Sequence, residues 1–290
     1  MRLFIVLGNL NQITMNGFKT FGLMAILTFL FLFIGGAIGG QAGMVIALIF
    51  AGITNFTGYY FSDKMVLKAY KAQELPKNHR VTVMVEKLAR NAELPMPKVY
   101  MVNQNQPNAF ATGRNPNHAA VAVTKGLADS MDDNELSGVL AHELGHIANR
   151  DILIGTIAAT LAGAISYLGY ATRFGMGNRN NRGGNVIIML LAMILAPLAA
   201  SLIRMAISRA REYKADSFGA KVSGNPLYLS NALSKLETYS KRIPMSGNQA
   251  TSHMFIVYPF SGKTFSTLFS THPPTSERIK RLRQMASSKY

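Results

Sequence analysis

The sequence contains no cysteine at all. That absence excludes a disulfide-stapled scaffold, an iron–sulfur protein, a thiol nucleophile and every cysteine-based zinc site, while leaving the redox compartment open. Charge is the second shortage. Only 15% of the 290 residues are charged, against a usual share of about 25%, and 49% are hydrophobic. Disordered chains have the opposite bias, so disorder is excluded. Acids are the scarcer sign: 14 Asp and Glu face 30 Lys and Arg, a formal net charge of +16.

The missing charges leave long apolar runs. Residues 20–62 carry no charge, and within them the blocks 21–38 and 43–60 are separated by a short turn at 39–42. Residues 152–172 and 183–203 are charge-free as well. A helix needs about 20 apolar residues to cross the hydrocarbon core of a bilayer. The chain therefore reads as a mainly α-helical membrane protein with four transmembrane helices in two hairpins. The third stretch is rich in Ala, Gly and Thr, and the fourth contains Pro197 and runs into Arg204. A cleaved signal peptide does not fit the first block, which starts only after Lys19 and exceeds the usual apolar signal core of about 7–15 residues.

Basic residues set the expected orientation. Thirteen Lys and Arg, from Arg2 to Lys221, flank the spans on one side, against Arg173, Arg179 and Arg182 on the other. Both termini and both large polar segments are thus expected in the cytoplasm. The same asymmetry accounts for most of the net charge, since basic flanks sit beside anionic head groups. Nucleic-acid binding is the other reading of so basic a chain. No aromatic–basic pattern or recognisable module supports it, so no nucleic-acid partner is expected.

Between the spans the pattern predicts a helix over 80–93, ended by Pro95 and Pro97, then an extended stretch at 98–103. Two short strands follow at 108–112 and 119–124, linked by a polar turn at 113–117. A helix starts near Asp132, where Glu135 three residues on completes a capping box. Its apolar stripe is Leu136, Val139, Leu140, Leu144 and Ile147. Asn225 and Pro226 open another helix to about Ser240, and residues 241–270 read as a mixed loop. A last helix follows Pro273 and Pro274, capped by Thr275 or Ser276, with Ile279, Leu282 and Met285 on one face.

The helix from Asp132 carries His142, Glu143 and His146 in an HExxH pattern. Residues four apart share a helical face, so both imidazoles can reach one ion, and Glu143 lies where it can take a proton from a metal-bound water. A catalytic zinc site needs a third protein ligand. Ile152 occupies the position where a metzincin would place a third histidine. Asp151 reads either as a ligand or as a helix-end partner of Arg150. Glu212 is the better candidate, because Asp216 lies four residues on, on the same face. Asp216 can then accept the outer N–H of a ligand histidine and fix its tautomer. The alternative is that both acids pair with Arg209, Arg211 or Lys214 on a solvated face. His79, His118 and His253 have no ligand-like neighbours and read as surface or structural.

HELGHIANRD at 142–151, SRAREYKAD at 208–216, NAFATG at 108–113 and THPPTSERI at 271–279 together resemble the HtpX family. These are bacterial inner-membrane zinc metallopeptidases of the gluzincin type, related to the CAAX prenyl endoproteases, and the resemblance covers nearly the whole chain. It implies one zinc per chain on His142, His146 and Glu212, with Glu143 as general base. It implies cleavage of polypeptides, chiefly misfolded or damaged membrane proteins, as part of quality control and stress response in the envelope. It also implies a multi-pass protein of the inner membrane with an α+β zincin-like domain on the cytoplasmic side.

On this reading residues 1–62 form the N-terminal hairpin, 63–151 the first half of the protease domain, 152–203 the second hairpin and 204–290 the second half. Asn108, Ala109, Phe110 and Ala111 match a segment that serves relatives as an edge strand pairing with substrate backbone; the alternative is an ordinary core strand. His272 and Arg278 match a histidine and an arginine that relatives place near the zinc, where they can stabilise an oxyanion. The alternative for this pair is a histidine at a helix start and a surface arginine. Charges at Asp132, Asp133, Glu135, Arg150 and Asp151 argue against an HExxH helix inside the membrane. No acidic or basic residue lies mid-span in any of the four segments, which argues against a transporter. A non-catalytic scaffold has no reason to combine three ligands with a base.

Overall fold

The computed structural model describes residues 2–153, 155, 157, 209–242, 256 and 273–288. Most of the third apolar stretch, all of the fourth, His253 and His272 lie outside the described residues. Helical structure over Arg2–Ala69 (α1) is interrupted at Gly39 and Gly40, where Gly40 adopts φ 57° and ψ −140°. Only glycine enters that region without strain, and the chain turns back there as the apolar pattern predicts. Gly35 and Gly43 let the two arms touch, since a Cβ on either would meet the other's backbone carbonyl. Asn55 Nδ2 donates across the hairpin to the Met24 carbonyl at 3.2 Å and to Thr28 Oγ1 at 2.9 Å. The second arm, Gly39–Ala69, is long and apolar enough to cross a membrane.

A four-stranded sheet follows, built from β1 (Gln73–Glu74), β2 (Lys98–Val102), β3 (Ala109–Asn115) and β4 (His118–Thr124) in the order β1-β2-β4-β3. β4 runs parallel to β2 and antiparallel to β3, with Phe110 opposite Ala122 and Ala111 opposite Val121. Nearly every residue of β4 is buried, because both faces of the sheet are covered. Val121 and Val123 face the helical core, while Ala120 and Ala122 face the end of α1 through Val66 and Leu67. β3 continues past the expected strand end at Thr112, since an irregularity between Gly113 and Asn115 keeps it paired. β1 is too short to leave a sequence pattern.

The helices are α2 (Arg80–Asn91), α3 (Lys125–Ser130), α4 (Asp133–Ala148), α5 (Arg209–Ser223), α6 (Pro226–Arg242) and α7 (Thr275–Ser287). α2 ends earlier than expected because Glu93 already takes a left-handed φ of 53°. His79 caps α2, its ring nitrogen accepting from the Val81 N–H, and His118 pairs with Asn115. α4 is the central helix, packed against α2, α5, α6 and the sheet. Leu136, Val139, Leu140, Leu144 and Ile147 are all fully buried along it. Its capping box is formed as expected, and Lys235 donates to the same Glu135 carboxylate at 2.6 Å. The expected cap of α7 is not found. Pro274 takes the N-cap position, with no side-chain hydrogen bond there, because Thr275 is already helical.

Gly138 shows how tightly α4 is held. A Cβ at this position would lie 2.5 Å from the Leu229 nitrogen and 2.7 Å from the Tyr228 carbonyl carbon, both backbone atoms of α6. Helix propensity favours alanine by roughly 1 kcal/mol, but overpacking against rigid backbone costs about 1–3 kcal/mol. Gly138→Ala is therefore expected to lower the thermal midpoint, read by circular dichroism in detergent, despite its better helix propensity.

Candidate metal centre

Three elements converge on one point. α4 presents His142, Glu143 and His146, α5 presents Glu212 and Asp216, and α7 brings Arg278. The helices approach closely because glycines stand at the crossing. A Cβ on Gly145 would lie 3.0 Å from Ala215 Cα, and one on Gly219 would lie 2.9 Å from the His142 nitrogen. The backbones of α4 and α5 therefore almost touch, and that contact sets Glu212 opposite the two histidines.

His142, His146 and Glu212 each offer one donor atom, and these atoms lie within 4.8 Å of one another. The two Nε2 atoms are 3.2 Å apart, His146 Nε2 is 3.6 Å from Glu212 Oε1, and His142 Nε2 is 3.7 Å from Glu212 Oε2. Tetrahedral ligands at about 2.0–2.1 Å from a metal stand roughly 3.3 Å apart. The donor set thus fits a single divalent ion, and two imidazoles with one carboxylate suit zinc among others.

The surroundings favour positive charge. Glu143, Asp151, Glu212 and Asp216 are all buried here, against the buried Arg211 and Arg278. Burial alone would lower the His146 pKa, but the hydrogen bond its ring donates to Asp151 and the charges of Glu212 and Glu143 raise it to about 9. Such a field suits a bound cation equally well. Burial raises the Glu143 carboxyl, opposed by His142 and His146, and the Ala111 N–H of β3 donates to it.

Each histidine is held from behind. His142 Nδ1 lies 3.0 Å from Asp216 Oδ1, and His146 Nδ1 lies 3.5 Å from Asp151 Oδ2. Arg150 takes a left-handed φ of 56°, which turns the chain back so that Asp151 faces the end of α4. Asp151 therefore faces the outer ring nitrogen of His146, away from the donor cluster, and its other oxygen lies 3.9 Å from Arg211. Asp216 in turn accepts two hydrogen bonds from Arg278, at 2.9 and 2.7 Å. Burial pushes the Asp216 carboxyl up, but Arg278 and His142 override it and hold it at about 2.

Arg278 is 1% exposed. The alternative of a surface arginine is thereby corrected, because α7 packs this face inward. Its nitrogens face Asp216, the Ile256 carbonyl at 3.2 Å and Glu212 at 3.6 Å. The solvated face considered for Glu212 and Asp216 is likewise corrected, since each is only 4% exposed. β3 is one of the two edge strands of the sheet among the described residues, β1 being the other. Ala109 and Phe110 are buried in it, Ala111 is half-buried, and Asn108 just before it accepts from the Ile256 N–H. Ile256 was not singled out by sequence reasoning; it lies in the 241–270 loop and carries no pattern. Arg211, which the sequence offers as a basic flank of the fourth span and as a surface partner of the acids, is buried, and nothing periodic in the sequence signals that burial.

The sequence model of peptidase family M48 matches residues 76–286. A protease HtpX homologue of Desulforapulum autotrophicum is 54% identical over 281 residues, covering 94% of this chain and 91% of the relative. Protease HtpX of Legionella pneumophila is 49% identical over 277 residues, covering 93% and 99%. In fold the chain is similar to the crystal structure of S. mikatae Ste24p, with a TM-score of 0.52 and 17% identity over 97% of this chain and 67% of that one.

The Asp216–Arg278 pair carries its own prediction. Removing one partner of a buried ion pair costs about 3–5 kcal/mol, because the other charge is left unpaired. Asp216→Ala is expected to lose stability on that scale in denaturant unfolding. Asp216→Asn, which keeps an acceptor for Arg278, is expected to lose less.

Proposed function

The chain belongs to the HtpX group of peptidase family M48 and is a membrane metalloprotease; from that premise we propose that it is a zinc endopeptidase with its centre at His142, His146 and Glu212. The observation that carries this reading is the donor cluster itself, three atoms from two helices at the mutual spacing one tetrahedral ion requires. When bound, the ion supplies Lewis acidity, making a water acidic near neutral pH and polarising the scissile carbonyl.

The chain's own residues do the rest. Glu143, buried and steadied by the Ala111 N–H, takes the proton from the attacking water and passes it to the leaving amine. Asp216 fixes His142 in the tautomer that leaves Nε2 free for the ion. Arg278 is read as positioning Asp216 and Glu212, because its nitrogens face them. His272 keeps the oxyanion role that the family resemblance implies. An extended substrate pairs its backbone along β3 near Asn108, Ala109, Phe110 and Ala111, which accounts for broad sequence tolerance.

The same reading keeps four spans, a protease domain assembled from 63–151 and 204–290, and cytoplasmic termini in a bacterial inner membrane. The basic flanks support that orientation. Substrates are polypeptides, chiefly misfolded or damaged membrane proteins.

The test is zinc content and casein cleavage of detergent-purified protein. Wild type is expected to hold one zinc per chain. Glu143→Gln is expected to keep the metal while losing activity by a factor of about 100 or more, and Glu212→Ala to lose both. Absence of bound metal under zinc-replete conditions would sink the proposal.

A further inference from the structure

The second arm of α1 does not stop at the membrane. Past the break at Gly39 and Gly40 it runs unbroken to Ala69 and ends against the outer face of the sheet, where Val66 and Leu67 pack on Phe110, Ala120 and Ala122. Two contacts tie this arm to β3 along its length. Near the arm's end, the rings of Tyr70 and Phe110 are 5.1 Å apart. Lower down, Arg114 lies over the Tyr60 ring at 5.0 Å and its Nη1 donates to the Tyr60 carbonyl at 3.5 Å.

These pairs fix both direction and alignment. Tyr60 to Tyr70 spans about 15 Å of helix at roughly 1.5 Å per residue. Phe110 to Arg114 spans about 13 Å of strand at roughly 3.3 Å per residue. Nearly equal lengths between the same two contacts mean that β3 runs almost along the axis of the arm, in the opposite direction. Phe110 lies at the far end and Arg114 at the end towards the apolar span.

The level of Tyr60 is the lipid interface. The 20 residues from Gln41 to Tyr60 cover roughly 30 Å of helix, matching the hydrocarbon thickness of about 30 Å. Phe56, Tyr60 and Phe61 are exposed there at 58%, 41% and 41%. The first charges after residue 20 follow at Asp63 and Lys64, and the Lys64 amine sits 5.3 Å from the Phe61 ring. Exposed aromatics beside the first charges are the pattern of a head-group belt.

Glu143 is held by the backbone of Ala111, three residues up β3 from Arg114. Three strand residues cover about 10 Å. We infer that the docking of β3 along the α1 arm is a ruler that holds the cutting centre about 10 Å above the lipid interface. Peptide bonds are then reached from about the third residue beyond a substrate's own spanning helix, and nearer bonds are out of reach. This rests on the reading of Glu143 as general base and of the α1 arm as a membrane span. A catalytic domain on a loose tether would impose no such limit; here the tether is a helix packed into the domain.

The experiment uses the zinc-loaded full chain in bilayer discs of phosphatidylethanolamine and phosphatidylglycerol. Substrates are single-span proteins with a Gly/Ser tail carrying one cleavable hexapeptide, positioned so that its scissile bond lies 0, 2, 4, 8 or 16 residues beyond the span. The free hexapeptide and the Glu143→Gln enzyme serve as controls, and cut sites are read by mass spectrometry. Cleavage is expected to be at least tenfold slower at spacings of 0 and 2 than at 4, with little further gain beyond 8. Equal rates at 0 and 4, or a first cut only at 16, would overturn the ruler while leaving the peptidase reading intact. A free hexapeptide untouched by wild type, or cut equally by Glu143→Gln, would remove the peptidase reading and the ruler with it.

Discussion

The site depends on one close crossing of two helices. α4 and α5 meet where Gly145 faces Ala215 and Gly219 faces the backbone of Ala141 and His142. Any larger side chain at these points would hold the axes apart. The separation matters because Glu212 is short of reach: its oxygens stand 3.6 and 3.7 Å from the two imidazoles, close to what one small ion tolerates. An extra ångström between the helices would leave a pair of histidines and a distant acid. Glycine inside a helix costs roughly 1 kcal/mol, so these positions exchange local helix stability for a shared site.

Electrostatics then locks the arrangement. Burying four acids so close together would be untenable without compensation. Arg278 supplies part of it from α7, binding Asp216 with two hydrogen bonds and facing Glu212. Arg211 supplies more beside Asp151. What remains is a negative pocket whose field lifts the His146 pKa to about 9 against the effect of burial. The same chain of contacts joins distant segments: Arg278 also holds the Ile256 carbonyl, whose N–H is held by Asn108 at the head of β3. The HExxH helix, the helix bearing Glu212 and Asp216, the C-terminal helix and the edge strand β3 thus share one polar network.

Local patterns were read correctly where the signal is itself local. The Asp132–Glu135 capping box, the α4 stripe and the turn at Gly39–Gly40 all rest on interactions within a few residues. Failures have equally physical causes. The cap of α7 was misplaced because Pro274 can hold the N-cap position without donating or accepting through a side chain. β3 was cut short because a glycine reads as a turn, while here Gly113 continues the strand through an irregularity. Arg278 allowed a surface reading because nothing in its own helix shows that Asp216 waits on another.

The HExxH spacing, and with it the expectation of a metal on α4, is legible before any fold is known. Two histidines four apart and a glutamate between them lie on one turn-spaced face whatever the rest of the chain does. An apolar hairpin is legible too, because lipid-length runs without charge have few other uses. Which acid stands opposite the histidines, which carboxylate backs each ring, and the burial of Arg278 among them emerge from the packing of separate elements. The same packing lays β3 along the α1 arm. Apart from Asp151 behind His146, five positions on, those facts belong to contacts between residues tens to more than a hundred positions apart. Such contacts are set by how closely helices and sheet can pack, which no local periodicity records.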